Sequence, residues 1–126
     1  DISPEMIKIS RNKFSQDNVR FLCDDVLTAD LGGTYDAIVI YNAFPHFPEP
    51  ERLIARLASA LVPGGILTVA HGAGRKWIDV HHSGAASKVS IGLMPAEELA
   101  ALFAKSGLAV TTLLSTDDIY QVAGRK

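Results

Sequence analysis

Apolar and polar positions along this chain repeat with two different periods, and the switches between them mark its elements. Near the start, Ser3 can cap a helix, Pro4 suits its first turn, and Glu5 complements its positive end. Met6, Ile7 and Ile9 are the apolar positions of a helix predicted from Pro4 to about Lys13. "VRFLCDD" reads as a short strand closed by two acids and "LGGT" as a turn. "YDAIVIYNA" reads as a β-branched strand buried on both faces. In "EPERLIARLASALVPGG", Leu53, Ile54, Leu57, Leu61 and Val62 recur at helical spacing and form one apolar stripe. Pro50, Glu49 and Glu51 fit the start of that helix, and Pro63-Gly64-Gly65 reads as its stop. "ILTVAH" follows as a buried strand. "PAEELAALFAKSG" repeats the helix grammar, with Pro95 early, Glu97 and Glu98 in the first turn, and Gly107 past the end. "LAVTTLLST" and "IYQVAGRK" flank Asp117-Asp118 and read as a hairpin, so one final strand is antiparallel.

Strand and helix alternation of this kind implies an α/β fold with a doubly wound, mostly parallel sheet. In such sheets ligands bind beyond the carboxyl ends of the strands. Three predicted strand ends carry polar or acidic residues: Cys23-Asp24-Asp25, Tyr41-Asn42 and Ala70-His71. Asp1 makes a fourth if it closes a strand. Between His71 and Pro95 no clear period exists, and this stretch holds Trp77, His81 and His82. So long a connection in a compact domain is as a rule either functional or partly disordered, and "WIDVHH" suits a short helical turn within it.

Composition narrows the picture further. The 126 residues suffice for one domain with a core. A formal net charge of −2 with no basic run gives no electrostatic footprint for nucleic acid and favours a small molecule. Cys23, the single cysteine, has no partner for an internal disulfide and is expected as a buried strand residue. No apolar stretch approaches the ~20 residues of a membrane helix, and no signal peptide is visible, so the expected location is cytoplasmic. His71, His81 and His82, with Asp79 as the nearby carboxylate, match no zinc spacing, and no metal is expected.

Several stretches together resemble the S-adenosylmethionine-dependent methyltransferases of the Rossmann-like class I. "DISPEMI" is similar to that family's acidic strand end followed by "SxxMI". "FLCDDVLTADLGGTYDAIVIYNAFPHF" resembles its third strand with the Asp, then its fourth strand and His-containing loop. "LASALVPGGILTVAH" resembles its "LxPGGxL" element, and "MPAEELAALFAKSGL" its late helix before the final hairpin. The resemblance implies one methyltransferase domain over residues 1–126, N-terminally incomplete. Residues 1–71 would be the remainder of the cofactor-binding half, 72–94 a variable acceptor-side loop, and 95–126 the C-terminal helix and hairpin. The family's glycine-rich loop is not found; "HGAGRK" follows the wrong strand for it. The expectation is therefore a fragment lacking roughly one βα unit plus a strand, on the order of 30 residues.

By the same resemblance, the cofactor is S-adenosylmethionine and the partner a small-molecule acceptor; a homodimer is left open. Asp1 would accept hydrogen bonds from both ribose hydroxyls, a task suited to two acceptor oxygens. Ile2 and Met6 would pack on the adenine. Asp25, or its neighbour Asp24, would accept from the adenine amino group, with a backbone contact at Val26. Tyr41, Asn42 and Phe44 would lie near the methionine part of the cofactor. His46 is the candidate base, because an imidazole ordinarily holds or releases a proton near neutrality. Trp77, His81 and His82 would line the acceptor side. Two other readings stand beside this one. A non-catalytic binding module would keep the fold without the cofactor site. A nicotinamide-dependent short-chain reductase would need a Tyr with a Lys four residues on. Tyr35, Tyr41 and Tyr120 are instead followed there by Val39, Pro45 and Gly124.

Overall fold

Ser3 has extended backbone, and its hydroxyl accepts from the Met6 N–H at 3.3 Å, so the first helix starts where the cap predicts. That helix, α1, runs Pro4–Lys13. The computed structural model describes residues 1–72 and 92–126. The chain forms two compact units, Asp1–Gly32 and Gly33–Lys126.

In the first unit α1 buries Ile7, while Met6 and Ile9 stay exposed. "VRFLCDD" departs from expectation, because no strand is assigned there. The Asp1 amino group donates to the Leu22 carbonyl at 3.1 Å, and the Asp24 N–H donates to the Asp1 carbonyl at 3.0 Å. This is the hydrogen-bond pattern of one parallel bridge, centred on Asp1 and Cys23. One bridge orders the segment without making a ladder. It also leaves the thiol uncovered: Cys23 is exposed, contrary to its expected burial.

The second unit carries a four-stranded sheet among the described residues, in the order β1-β2-β4-β3. Its strands are β1 (Tyr35–Tyr41), β2 (Leu61–His71), β3 (Ala109–Ser115) and β4 (Tyr120–Arg125). β1 and β2 run parallel, and β4 is antiparallel to both β2 and β3. Thr116 closes the β3–β4 hairpin, its hydroxyl accepting from the Asp118 and Ile119 N–H groups at 3.3 and 3.1 Å. Helix α2 (Pro50–Ser59) packs on β2, and α3 (Ala96–Lys105) packs on β3, β4 and α2.

The core lies between these helices and one sheet face. Leu67, Val69, Tyr120 and Val122 from the sheet are fully buried, as are Leu53, Ile54, Leu99 and Phe103 from the helices. Each such side chain contributes roughly 1.5–3 kcal/mol by leaving water. β1 was expected to be buried on both faces and is not. Ile40 points into the core, while Val39 is 63% exposed and Tyr41 60% exposed. β1 stands at the end of the strand order and the helices cover one face, so its alternate side chains meet solvent.

The α2–β2 junction also differs from expectation. The helix ends at Ser59, and Leu61 and Val62 belong to β2 rather than to the helical stripe. Both residues continue the helical spacing by coincidence of period. Pro63-Gly64-Gly65 forms an irregularity inside the strand, where the register jumps from Tyr35↔Leu61 to Ala37↔Ile66. Gly64 has φ 83°, and a Cβ on Gly65 would meet the carbonyl oxygens of Val62, Tyr35 and Asp36 at 3.0–3.1 Å. The junction is held from the far end of the chain. The Lys126 ammonium donates to the carbonyls of Ser59 (3.0 Å) and Leu61 (2.7 Å), and Arg125 donates to Gly64 at 2.8 Å. A cation at a helix C-terminus also complements the helix dipole.

α3 ends in a glycine cap. Gly107 has φ 80°, its N–H donates to Ala104, and the Leu108 N–H donates to Phe103. Phe103 and Leu108 then close over Gly124 of β4, where a Cβ would stand 2.8 Å from the Phe103 ring. Among the described residues no helix is long and apolar enough to cross a membrane.

Candidate functional site

The sequence nominates the carboxyl ends of strands; the second unit has them, and the first has a single backbone bridge in their place. In the first unit the Asp1–Cys23 bridge sets Asp1 next to Asp24 along the backbone. The carboxylates of Asp1, Asp24 and Asp25 are all exposed, and each uses one oxygen on nearby backbone. Asp1 Oδ1 accepts from the Ser3 N–H at 2.8 Å, Asp24 Oδ1 from the Asp25 N–H at 2.8 Å, and Asp25 Oδ1 from the Leu27 N–H at 2.9 Å. The Asp25 carbonyl accepts from Thr28 and Ala29, so Asp25 opens a tight turn in which Val26 is half-buried. Ile2 is 74% exposed and Met6 48% exposed, leaving apolar surface beside the acids in sequence.

In the second unit the ends of β1 and β2 meet. Asn42 follows β1 with φ 51°. Its N–H donates to the Ala70 carbonyl, and its side-chain oxygen accepts from the Gly72 N–H, both at 3.0 Å. A 3₁₀ turn, Phe44–His46, comes next. Phe44 and Pro45 are buried, and His46 is exposed. Phe44 thus anchors the loop in the core, while the imidazole it carries forward reaches solvent.

The contacts of Gly72 with Tyr41, of His71 with Tyr120 and of Tyr120 with Met94 were not read from sequence. A Cβ on Gly72 would lie 2.6 Å from the Tyr41 hydroxyl, so these two residues are close neighbours across the strand ends. A glycine just past a buried strand was the available signal. His71 is buried at 4% exposure and meets Tyr120 edge-to-face, with ring centroids 6.0 Å apart. The Tyr120 hydroxyl donates to the Met94 carbonyl at 2.9 Å. Trp77, Asp79, His81 and His82 lie outside the described residues. Among the described residues, no three His, Cys, Asp or Glu gather as a metal would require.

Away from the strand ends, α2 and α3 enclose a surface cleft of about 530 Å³. Two exposed ion pairs rim it, Arg52–Glu49 at 3.1 Å and Lys105–Glu51 at 3.3 Å. Its charges answer one another, so it presents no single sign to a ligand.

A family profile described as a methyltransferase domain matches residues 1–65. Malonyl-[acyl-carrier protein] O-methyltransferase of Acetivibrio thermocellus is 33% identical over 67 residues, covering 53% of this chain and 24% of that protein. Ubiquinone biosynthesis O-methyltransferase of Xanthomonas axonopodis pv. citri is 32% identical over 71 residues, covering 53% of this chain and 30% of that protein. The matches therefore span about a quarter to a third of the length of these curated relatives. Among solved structures, an S-adenosylmethionine dependent methyltransferase from Mesorhizobium loti superposes with TM-score 0.81 at 12% identity, over 100% of this chain and 78% of that one. At that identity the likeness establishes the fold, an open α/β sheet of the expected class.

Proposed function

Because the chain belongs to the methyltransferase-domain family, whose profile covers residues 1–65, we propose that its protein transfers a methyl group from S-adenosylmethionine to a small-molecule acceptor. The observation that carries this reading is the Asp1–Cys23 bridge. It gives Asp1 the backbone setting of a strand end and sets it beside the second acidic end, Asp24-Asp25. The two relatives described above are named as O-methyltransferases, and the malonyl and ubiquinone parts of those names support an acceptor that is not a nucleic acid.

The residues present fit an adenosyl group. Asp1 accepts one backbone N–H and keeps acceptor capacity for a diol, since a carboxylate offers about four lone-pair sites. Asp25, with Asp24 beside it, has the same capacity toward an amino group, and exposed Ile2 and Met6 offer apolar surface to a flat ring. When bound, S-adenosylmethionine supplies a methyl on a sulfonium, a leaving group already activated by its charge. The chain's task is then chiefly to hold and align the partners, which can lower a barrier by about 7–11 kcal/mol. His46, exposed on its turn, would take a proton only where the acceptor must lose one. Trp77, His81 and His82 remain the nominees for the acceptor side.

Calorimetric titration of the full-length protein with S-adenosylmethionine and with S-adenosylhomocysteine tests the reading. Micromolar binding that falls at least tenfold in Asp1→Ala is the expected result. Binding of a nicotinamide dinucleotide instead, or of neither methyl-cycle ligand, would overturn it.

A further inference from the structure

Asn42 makes the last rung of the β1–β2 ladder with its side chain. In a parallel pair every second residue of a strand donates its N–H to one partner carbonyl and accepts, through its own carbonyl, from the N–H two residues further along the partner. Asn42 keeps the first half of that pattern, donating to Ala70 at 3.0 Å. The second half, the Gly72 N–H at 3.0 Å, goes to Asn42 Oδ1 instead of to its main-chain oxygen. The backbone at Asn42 is thereby released into the left-handed region, φ 51°, the only such non-glycine among the described residues. Asparagine enters this region at lower cost than other side-chain-bearing residues because its short amide bonds locally.

The consequences run through both strand ends. Leaving β1 in this direction allows the Phe44–His46 turn, which buries Phe44 and Pro45 and exposes His46. Holding the Gly72 N–H fixes the residue that a Cβ would drive into the Tyr41 hydroxyl. We propose that Asn42 is a positioning residue. Its side-chain oxygen completes the sheet so that Tyr41 and the His46 turn are presented to ligand, and its amino group is not the part the site uses. This rests on the methyltransferase reading and assigns a role within it.

The test uses three variants of the full-length protein and two readouts, S-adenosylhomocysteine affinity and exchange of the Gly72 amide. Asn42→Gly keeps the positive φ and loses the acceptor. Asn42→Asp keeps both the φ and the acceptor but has no amino group. Asn42→Ala loses the acceptor and strains the backbone. Asn42→Gly and Asn42→Ala should each lower affinity by about tenfold and speed Gly72 exchange by a similar factor, the scale of one lost hydrogen bond. Asn42→Asp should restore both to near the parent values. Affinity retained in Asn42→Gly would overturn the positioning role. So would affinity lost in Asn42→Asp with Gly72 still protected, since that marks a direct contact through the amino group. Absence of binding by the unaltered protein strikes the methyltransferase reading itself and takes this role with it.

Discussion

The two units of this chain are held together in different ways. In Asp1–Gly32 the buried apolar side chains are Ile7, Leu27 and Ala29. Its order comes instead from short polar side chains closing on their own backbone: Asp1 on Ser3, Ser3 on Met6, Asp24 on Asp25, Asp25 on Leu27, and Asp30 on Gly32. Gly33–Lys126 is ordered by packing, with Phe44, Leu53, Leu67, Leu99, Phe103 and Tyr120 buried at 0–2% exposure. The contrast shows where binding capacity can reside. In the first unit the carboxylates that fold the chain each spend one oxygen on backbone and keep further acceptor capacity exposed. In the second, a packed base carries a few polar groups at its rim, and one of them, Asn42, replaces a piece of backbone.

Substitutions separate the two regimes, and the largest effect belongs to the core. Phe103→Ala should cost about 3–5 kcal/mol in denaturant unfolding, and the amides of α1 should keep their exchange rates. A loss below about 1 kcal/mol would break the view of the second unit as packing-ordered. Gly65→Ala should cost about 1–3 kcal/mol, because three backbone oxygens at 3.0–3.1 Å cannot swing aside as a side chain can. A neutral result in the same assay would mean that β1 and the Pro63–Gly65 irregularity approach less closely. Ser3→Ala should cost about 1 kcal/mol locally, read as faster exchange of the first-turn amides of α1. The unfolding midpoint of the second unit should stay in place; a shared shift would show that the two regimes are one. Lys105→Met removes an exposed partner of Glu51 and should change stability by no more than about 0.5 kcal/mol.

Elements set by period and caps were legible in the sequence. The first helix runs Pro4–Lys13 as Ser3, Pro4 and the apolar spacing require. The last runs Ala96–Lys105 between Pro95 and Gly107. What failed was legible only from neighbours. Leu61 and Val62 satisfy a helical stripe and a strand equally, and the parallel pairing of Leu61 with Tyr35 decides for the strand. Cys23 sits in an apolar run that implies burial, yet one backbone bridge makes no ladder over it, and its thiol stays exposed, 4.0 Å from the Ile2 carbonyl. At the candidate site the sequence supplied the residue types and their strand-end positions. Which atom each residue spends on its own backbone depends on a φ angle, as at Asn42, and no composition or period encodes it.

The contact of Phe103 and Leu108 over Gly124 fixes a length as well as a fit. The link between them, Ala104 to Gly107, is closed by hydrogen bonds that count residues: Leu108 to Phe103 and Gly107 to Ala104. One residue added there would rotate everything beyond it by about 100° of helix and carry Leu108 off the glycine. That stretch is therefore closed to insertion and deletion, whether by evolution or by design. Grafts and tags belong at the exposed Asp117-Asp118 tip, where an insertion breaks the Thr116 turn bonds and leaves this helix-to-strand link untouched.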